Sequence, residues 1–197
     1  MKRSLFIVCV LLGACNAETS ADASTQDCAP PAESLRWKRA DVLVNDLAGS
    51  LELEQATICT ELGTTPCREV HGISLGASEP FLNTLYEPLP RPMVTTALAI
   101  DRVMLSACRR GVERDQRVAS DERVVFTHIE LGAASLDPAD AGVKAQVHEL
   151  YQRLLGRDAT DDEVAMVAEL ATDDVSAETF ATLACFSIAT TTEFLFY

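Results

Sequence analysis

The chain has 197 residues, 48% of them hydrophobic, and a formal net charge of −14. That length suits one globular domain with an appended segment. So acidic a chain is repelled by phosphate backbones, which argues against nucleic acid as a partner. Lys2 and Arg3 open it, followed by an apolar run over 5–12. The run is far shorter than the ~20 apolar residues that span a bilayer. A positive start, a short apolar stretch and small residues behind it predict an export signal over residues 1–14.

Leu12-Gly13-Ala14-Cys15 resembles the lipobox read by lipoprotein signal peptidase. The resemblance implies that Cys15 is lipidated and becomes the first residue of the mature protein, so that several acyl chains hold it on a membrane. The alternative is an ordinary secretory signal cut elsewhere. Removing 14 of 197 residues leaves 183, and losing Lys2 and Arg3 takes the formal charge from −14 to −16. Asn16 rather than Asp after the anchor points to the outer membrane, with the domain in the periplasm or at the cell surface. Residues 15–33 are small, polar and acidic, with Pro30 and Pro31. They read as a flexible tether reaching roughly 20–25 Å, and residues 34–197 as a single mostly helical domain.

Within that domain, Ala40, Leu43, Val44, Leu47 and Leu51 make one helical stripe, predicting a first helix over about 34–53. A turn-rich stretch from Cys59 to Cys67 follows. Residues 70–95 carry several glycines and prolines yet also Phe81, Leu82, Leu85, Tyr86 and Leu89. Such a segment reads as a long ordered loop. A second helix is expected over about 96–110 with Ala97, Ile100, Met104, Ala107 and Cys108 on one face and Gly111 as its cap. The β-branched and aromatic run Arg123 to Ile129 predicts a strand, and 69–75 is its candidate partner. Asp137 and Pro138 should start a third helix ending at Gly156, with Val143, Val147, Leu150, Tyr151, Leu154 and Leu155 inward. Thr160 to Glu163 is a capping box for a fourth. Ser176 caps a fifth, running to about 196 and apolar around most of its circumference. The fold class is therefore mainly α: a small helical bundle of about five helices with a long ordered loop and room for one short β-hairpin.

Tyr151, Gly156, Arg157, Thr160 and Glu163, followed by Thr190, Glu193, Phe194 and Leu195, resemble a C-terminal helical module. That module belongs to planctomycete-type, cytochrome-associated surface proteins of unassigned function, and the likeness covers 145–197. The mature chain as a whole resembles uncharacterised small lipoproteins of myxobacteria and relatives. Neither resemblance implies an activity. A c-type haem does not carry over, because no Cys-x-x-Cys pair exists.

Five cysteines remain beyond the anchor. Export favours disulfides, and Cys59 with Cys67 and Cys108 with Cys185 are the expected pairs, the latter two also able to stay as buried thiols. Cys28 is left over. Gly72-Ile73-Ser74-Leu75-Gly76 matches the Gly-x-Ser-x-Gly nucleophile elbow, and His128 and Asp101 follow in workable order, as almost any acidic chain would offer. An elbow needs a strand before it and a helix after it, and Pro80 forbids the long helix. A glycine-rich turn is the favoured reading and a serine hydrolase the alternative. His71, His128 and His148 are too scattered in sequence for a metal triad. No catalytic residue, metal or cofactor is thus expected. The favoured function is a membrane-anchored, non-catalytic lipoprotein acting as an accessory or interaction module. Phe81, Leu85 and Tyr86 would contact a protein partner, unless those aromatics merely cover the core.

Overall fold

The computed structural model describes residues 35–197. The segments expected to form the export signal and the tether, with Cys15 and Cys28, lie outside the described residues. Five helices of eight residues or more make the bundle: α1 Ala40–Leu51, α4 Val94–Gln116, α5 Ala141–Leu155, α6 Asp161–Ala168 and α7 Ala177–Ala189. Three short helices, α2 Cys67–His71, α3 Pro80–Asn83 and α8 Thr192–Leu195, lie between or after them. One antiparallel hairpin, β1 Thr60–Glu61 with β2 Thr65–Pro66, pairs Thr60 with Pro66. The protein is a mainly α-helical bundle with a small two-stranded hairpin.

The apolar stripe of α1 is buried as its spacing requires: Ala40, Leu43, Val44, Leu47 and Leu51 all face inward. Helix α7 packs on α4, α5, α6 and α8. It buries Phe180, Ala184 and Ile188, while Leu183 faces outward. Its small residues let α4 come close, and the Cys108–Cys185 disulfide joins the two helices with 5.7 Å between Cα atoms. The ends of the domain are tied together. Arg36 and Tyr197 exchange two backbone hydrogen bonds of 2.9 Å, and Lys38 N donates to Leu195 O at 2.7 Å.

Several expected boundaries move. Helix α4 begins at Val94 and runs past Gly111 to Gln116. Gly111 is not a cap; it is a buried contact, where an added Cβ would touch the Phe126 ring at 3.6 Å. Ala97 faces solvent, and Ala99 and Val103 take the inward face instead. Helix α5 is capped by Asp140, whose side chain accepts from Gly142 N at 2.7 Å. Asp137 instead makes a turn upstream, accepting from Ala139 N at 2.8 Å. The last helix breaks at Thr190 and Thr191. Their hydroxyls donate to Phe186 O and Ile188 O, and Thr191 then caps α8. The caps at Gly156, Thr160 and Ser176 stand where the sequence places them.

The expected strand over 123–129 does not form, nor does its partner, because 67–71 is helical and 72–76 is a series of turns. Side chains from the flanking helices satisfy the backbone of 123–129 instead. Buried Asp115 of α4 accepts from Val125 N and Phe126 N, both at 2.8 Å. Buried Gln146 of α5 donates to Val125 O at 2.8 Å and accepts from His128 N at 3.2 Å. Arg153 donates to Val124 O at 2.7 Å. With its donors and acceptors engaged this way, the segment needs no β partner.

Candidate functional site

The loop expected to carry function is built on two glycines and a threonine. Gly76 has a φ of +77°, and an added Cβ would lie 2.7 Å from the Trp37 ring. A Cβ on Gly72 would meet Arg68 O at 2.7 Å. Thr96, in the first turn of α4, donates its hydroxyl to Ser74 O at 2.6 Å and pins the loop to the helix. Ser74 Oγ faces Thr95 Oγ1 at 3.3 Å, hydroxyl to hydroxyl. No imidazole or carboxylate takes part in that contact. Asp101 lines a cleft with Cys59 and Phe186. His128 belongs to the segment held by α5 and is exposed. The glycines of the Gly-x-Ser-x-Gly motif therefore serve a turn and a tryptophan contact, and the elbow geometry of strand, strained serine and long helix is not built here.

Further along the same segment, Phe81 is 100% exposed and Tyr86 77% exposed, while Leu85 is half-buried. The two aromatics are thus not core residues. Val94 and Leu98, one turn apart at the start of α4, are also exposed.

The structure also brings together a group of residues with no recognisable spacing in sequence. Glu61 at the end of β1 accepts from Arg102 of α4 through both carboxylate oxygens. The Nη2 donor lies at 2.5 Å from Oε2, and Nε bonds Oε1. His71 Nε2, at the end of α2, lies 2.8 Å from Glu61 Oε1. Arg102 first, then His71, hold the Glu61 carboxyl down at about 2, against the opposite pull of desolvation. Beneath this cluster the Cys59–Cys67 disulfide closes the hairpin with 5.3 Å between Cα atoms. Arg110, two turns beyond Arg102, donates to Thr60 Oγ1 at 2.8 Å and fixes the hairpin to α4. Beside it opens a cleft of about 330 Å³, lined by Asp101, Arg102, Leu105, Arg109 and Phe186 among others.

A second polar network involves the residues of the C-terminal likeness. Arg157 bonds both oxygens of Glu163, at 2.9 and 2.7 Å, and both of Glu193, each at 2.7 Å. Its guanidinium sits 5.2 Å from the Tyr151 ring centroid. Glu163 also closes the capping box on Thr160. These residues clasp α5, α6 and α8 together, which gives the motif a structural reason. Both expected disulfide pairs, Cys59 with Cys67 and Cys108 with Cys185, are present. No helix among the described residues is long and apolar enough to cross a membrane. No protein-family model, no curated protein and no solved structure matches the chain.

Proposed function

We propose that the chain is a lipid-anchored, non-catalytic interaction module, held on the outer membrane through Cys15, whose 72–92 segment binds a protein partner. The observation that carries this reading is the exposure of Phe81, at 100%, and Tyr86, at 77%, on a segment tied to α4 at Ser74. Exposed aromatic side chains offer a partner a large contact area at a small cost in side-chain ordering. Ser74 supports the same reading, because a hydroxyl facing only another hydroxyl lacks a base.

The test is a double substitution, Phe81→Ser with Tyr86→Ser. It should abolish co-purification of a partner from solubilised membranes while leaving the melting temperature nearly unchanged, since neither ring is in the core. A fall in stability of several kcal/mol would put them in the core after all. In parallel, Cys15→Ala should release the protein from membranes. Covalent labelling of Ser74 by a fluorophosphonate would overturn the non-catalytic reading in favour of the hydrolase.

A further inference from the structure

Four side chains with metal-binding atoms converge where the hairpin meets α2. Glu61 Oε1, Cys67 Sγ and His71 Nε2 all lie within 4.8 Å of one another. Cys59 Sγ is bonded to Cys67 Sγ and so shares the same spot. Local structure puts each one there. Cys67 and His71 are the first and last residues of α2, one turn apart and therefore on one face. The hairpin register sets Glu61 against Thr65 and Thr60 against Pro66, which brings the start and end of the turn together beside α2. While the disulfide is closed neither sulfur is a thiolate, and the group is an ion-pair cluster.

We propose that reduction of the Cys59–Cys67 disulfide converts this corner into a zinc site with four protein ligands: Cys59 Sγ, Cys67 Sγ, His71 Nε2 and Oε1 of Glu61. The chemistry balances with a dithiol as reductant. It delivers two electrons and two protons to the S–S bond, leaving two thiols, and itself becomes a disulfide. Zinc then displaces the two thiol protons to solvent.

Three features of the corner suit this ion. Zinc takes four-coordinate sets of thiolate, imidazole and carboxylate at about 2.0–2.3 Å, which sets ligand atoms about 3.3–3.8 Å apart. Glu61 Oε1 is already 3.8 Å from Cys67 Sγ, and its 2.8 Å hydrogen-bond separation from His71 Nε2 has to open by about 0.5 Å to admit the ion. Breaking the S–S bond lets the sulfurs separate, which is the direction a tetrahedron requires. Charge also closes. Two thiolates and one carboxylate against a divalent ion leave a single negative charge, and Arg102 cancels it. Arg102 keeps its bond to Glu61 Oε2 while Oε1 turns to the metal, so it acts as the outer partner that orients a ligating carboxylate. Finally, the cysteines are buried whereas His71 and Glu61 are partly open to solvent, so an ion has a way in.

The experiment uses the mature chain carrying Cys15→Ser and Cys28→Ser, with cobalt(II) as the probe for zinc. The oxidised protein should take up no cobalt. After reduction by a phosphine it should bind one equivalent, with a thiolate-to-cobalt charge-transfer band and the visible bands of a tetrahedral ion, both lost on adding zinc. His71→Ala and Glu61→Gln should each weaken cobalt binding by roughly tenfold or more, at least the effect of losing an outer-shell partner. Cys59→Ala with Cys67→Ala, which leaves Cys108 and Cys185 in place, should abolish the thiolate band. The proposal is overturned if the reduced chain binds no cobalt. It is equally overturned if the band survives in the double cysteine variant, or if affinity is unchanged by His71→Ala, as it would be for thiols of an unfolded chain.

Discussion

Replacing Asp115 by Ala should be among the most damaging single changes in this protein. The residue is fully buried. Its Oδ2 accepts from two backbone amides, Val125 N and Phe126 N, and its Oδ1 accepts from Arg114 Nε at 2.9 Å. Val125 and Phe126 are themselves fully buried, so water cannot replace the carboxylate unless the segment opens. Each orphaned buried amide costs about 1–3 kcal/mol. Arg114 loses its carboxylate partner but keeps Leu51 O and Glu52 O as acceptors, which limits its share. The sum is roughly 3–5 kcal/mol, a large part of the ~5–15 kcal/mol that holds a domain together. Asp115→Asn keeps one acceptor for the amides but turns a donor toward Arg114, or the reverse. It should cost less, about 1–2 kcal/mol.

Urea denaturation followed by far-ultraviolet circular dichroism measures both variants, and native-state hydrogen exchange adds a local readout. In Asp115→Ala the amides of Val125 and Phe126 should exchange faster than those of α7, because the 123–129 segment loses its main anchor while the α4–α7 pair stays disulfide-linked. A loss below about 1 kcal/mol would refute the argument, since even one orphaned buried amide should cost that much. So would unchanged exchange at those two positions.

Two further outcomes follow from the same geometry. Glu61 and Glu163 are both held at about 2, Glu61 chiefly by Arg102 and Glu163 chiefly by Arg157. A depressed folded-state value stabilises the fold above the ordinary value of 4.5, and that stabilisation drains away as pH falls from there toward 2. The urea midpoint should therefore hold between about pH 5 and 7 and drop below about 4.5, with a shallower drop in Glu163→Gln; an acid-insensitive midpoint contradicts the ion-pair clasp. Gly76→Ala combines a positive φ of 77° with a Cβ 2.7 Å from Trp37. It should cost about 2–4 kcal/mol and shift the emission of Trp37, the single tryptophan, whereas unaltered emission and stability would mean that the turn relaxes freely.

Where the sequence was legible, the physics was local. A cap hydroxyl bonds an amide two or three residues on, so Thr160 with Glu163, and Ser176 with Thr179, could be read from spacing alone. Burial of the α1 stripe follows from the helical period in the same way. No strand forms over 123–129, because β-branched residues signal only that a segment suits an extended, half-buried setting. What decided its structure were Asp115, Gln146 and Arg153, ten or more residues away on two helices. The signal in the sequence is that Asp115 and Gln146 fall at helical spacing among apolar positions, Asp115 after Cys108 and Val112 and Gln146 between Val143 and Leu150. The Glu61, His71 and Arg102 cluster was invisible for a similar reason. Its members come from a hairpin, a five-residue helix and a long helix, and no spacing rule connects them. The one local feature is the Cys67-x-x-x-His71 step, which sets the two side chains on one face of α2.

The two disulfides differ in a way that bears on which one yields to a reductant. Cys108–Cys185 closes 77 residues and Cys59–Cys67 only 8. Loop-closure entropy makes the long link worth about 4.5 kcal/mol and the short one about 2.5 kcal/mol. Opening the short link therefore leaves the fold about 2 kcal/mol more stable than opening the long one, so it is the link that can open with the bundle intact. Access works in the same direction. Cys108 and Cys185 are fully enclosed between α4 and α7. Cys59 and Cys67 are buried too, but Cys59 lines the open cleft beside Arg102 and Phe186, next to partly exposed His71 and Glu61. A graded dithiol titration, quenched by alkylation and mapped by mass spectrometry, should therefore label Cys59 and Cys67 well before Cys108 and Cys185. Zinc should protect the first pair from the label and leave the second unaffected. Simultaneous labelling of all four would mean that reduction at the hairpin unfolds the bundle. The hairpin would then be part of the cooperative core, rather than a corner that can change its chemistry while α4 and α7 stay joined.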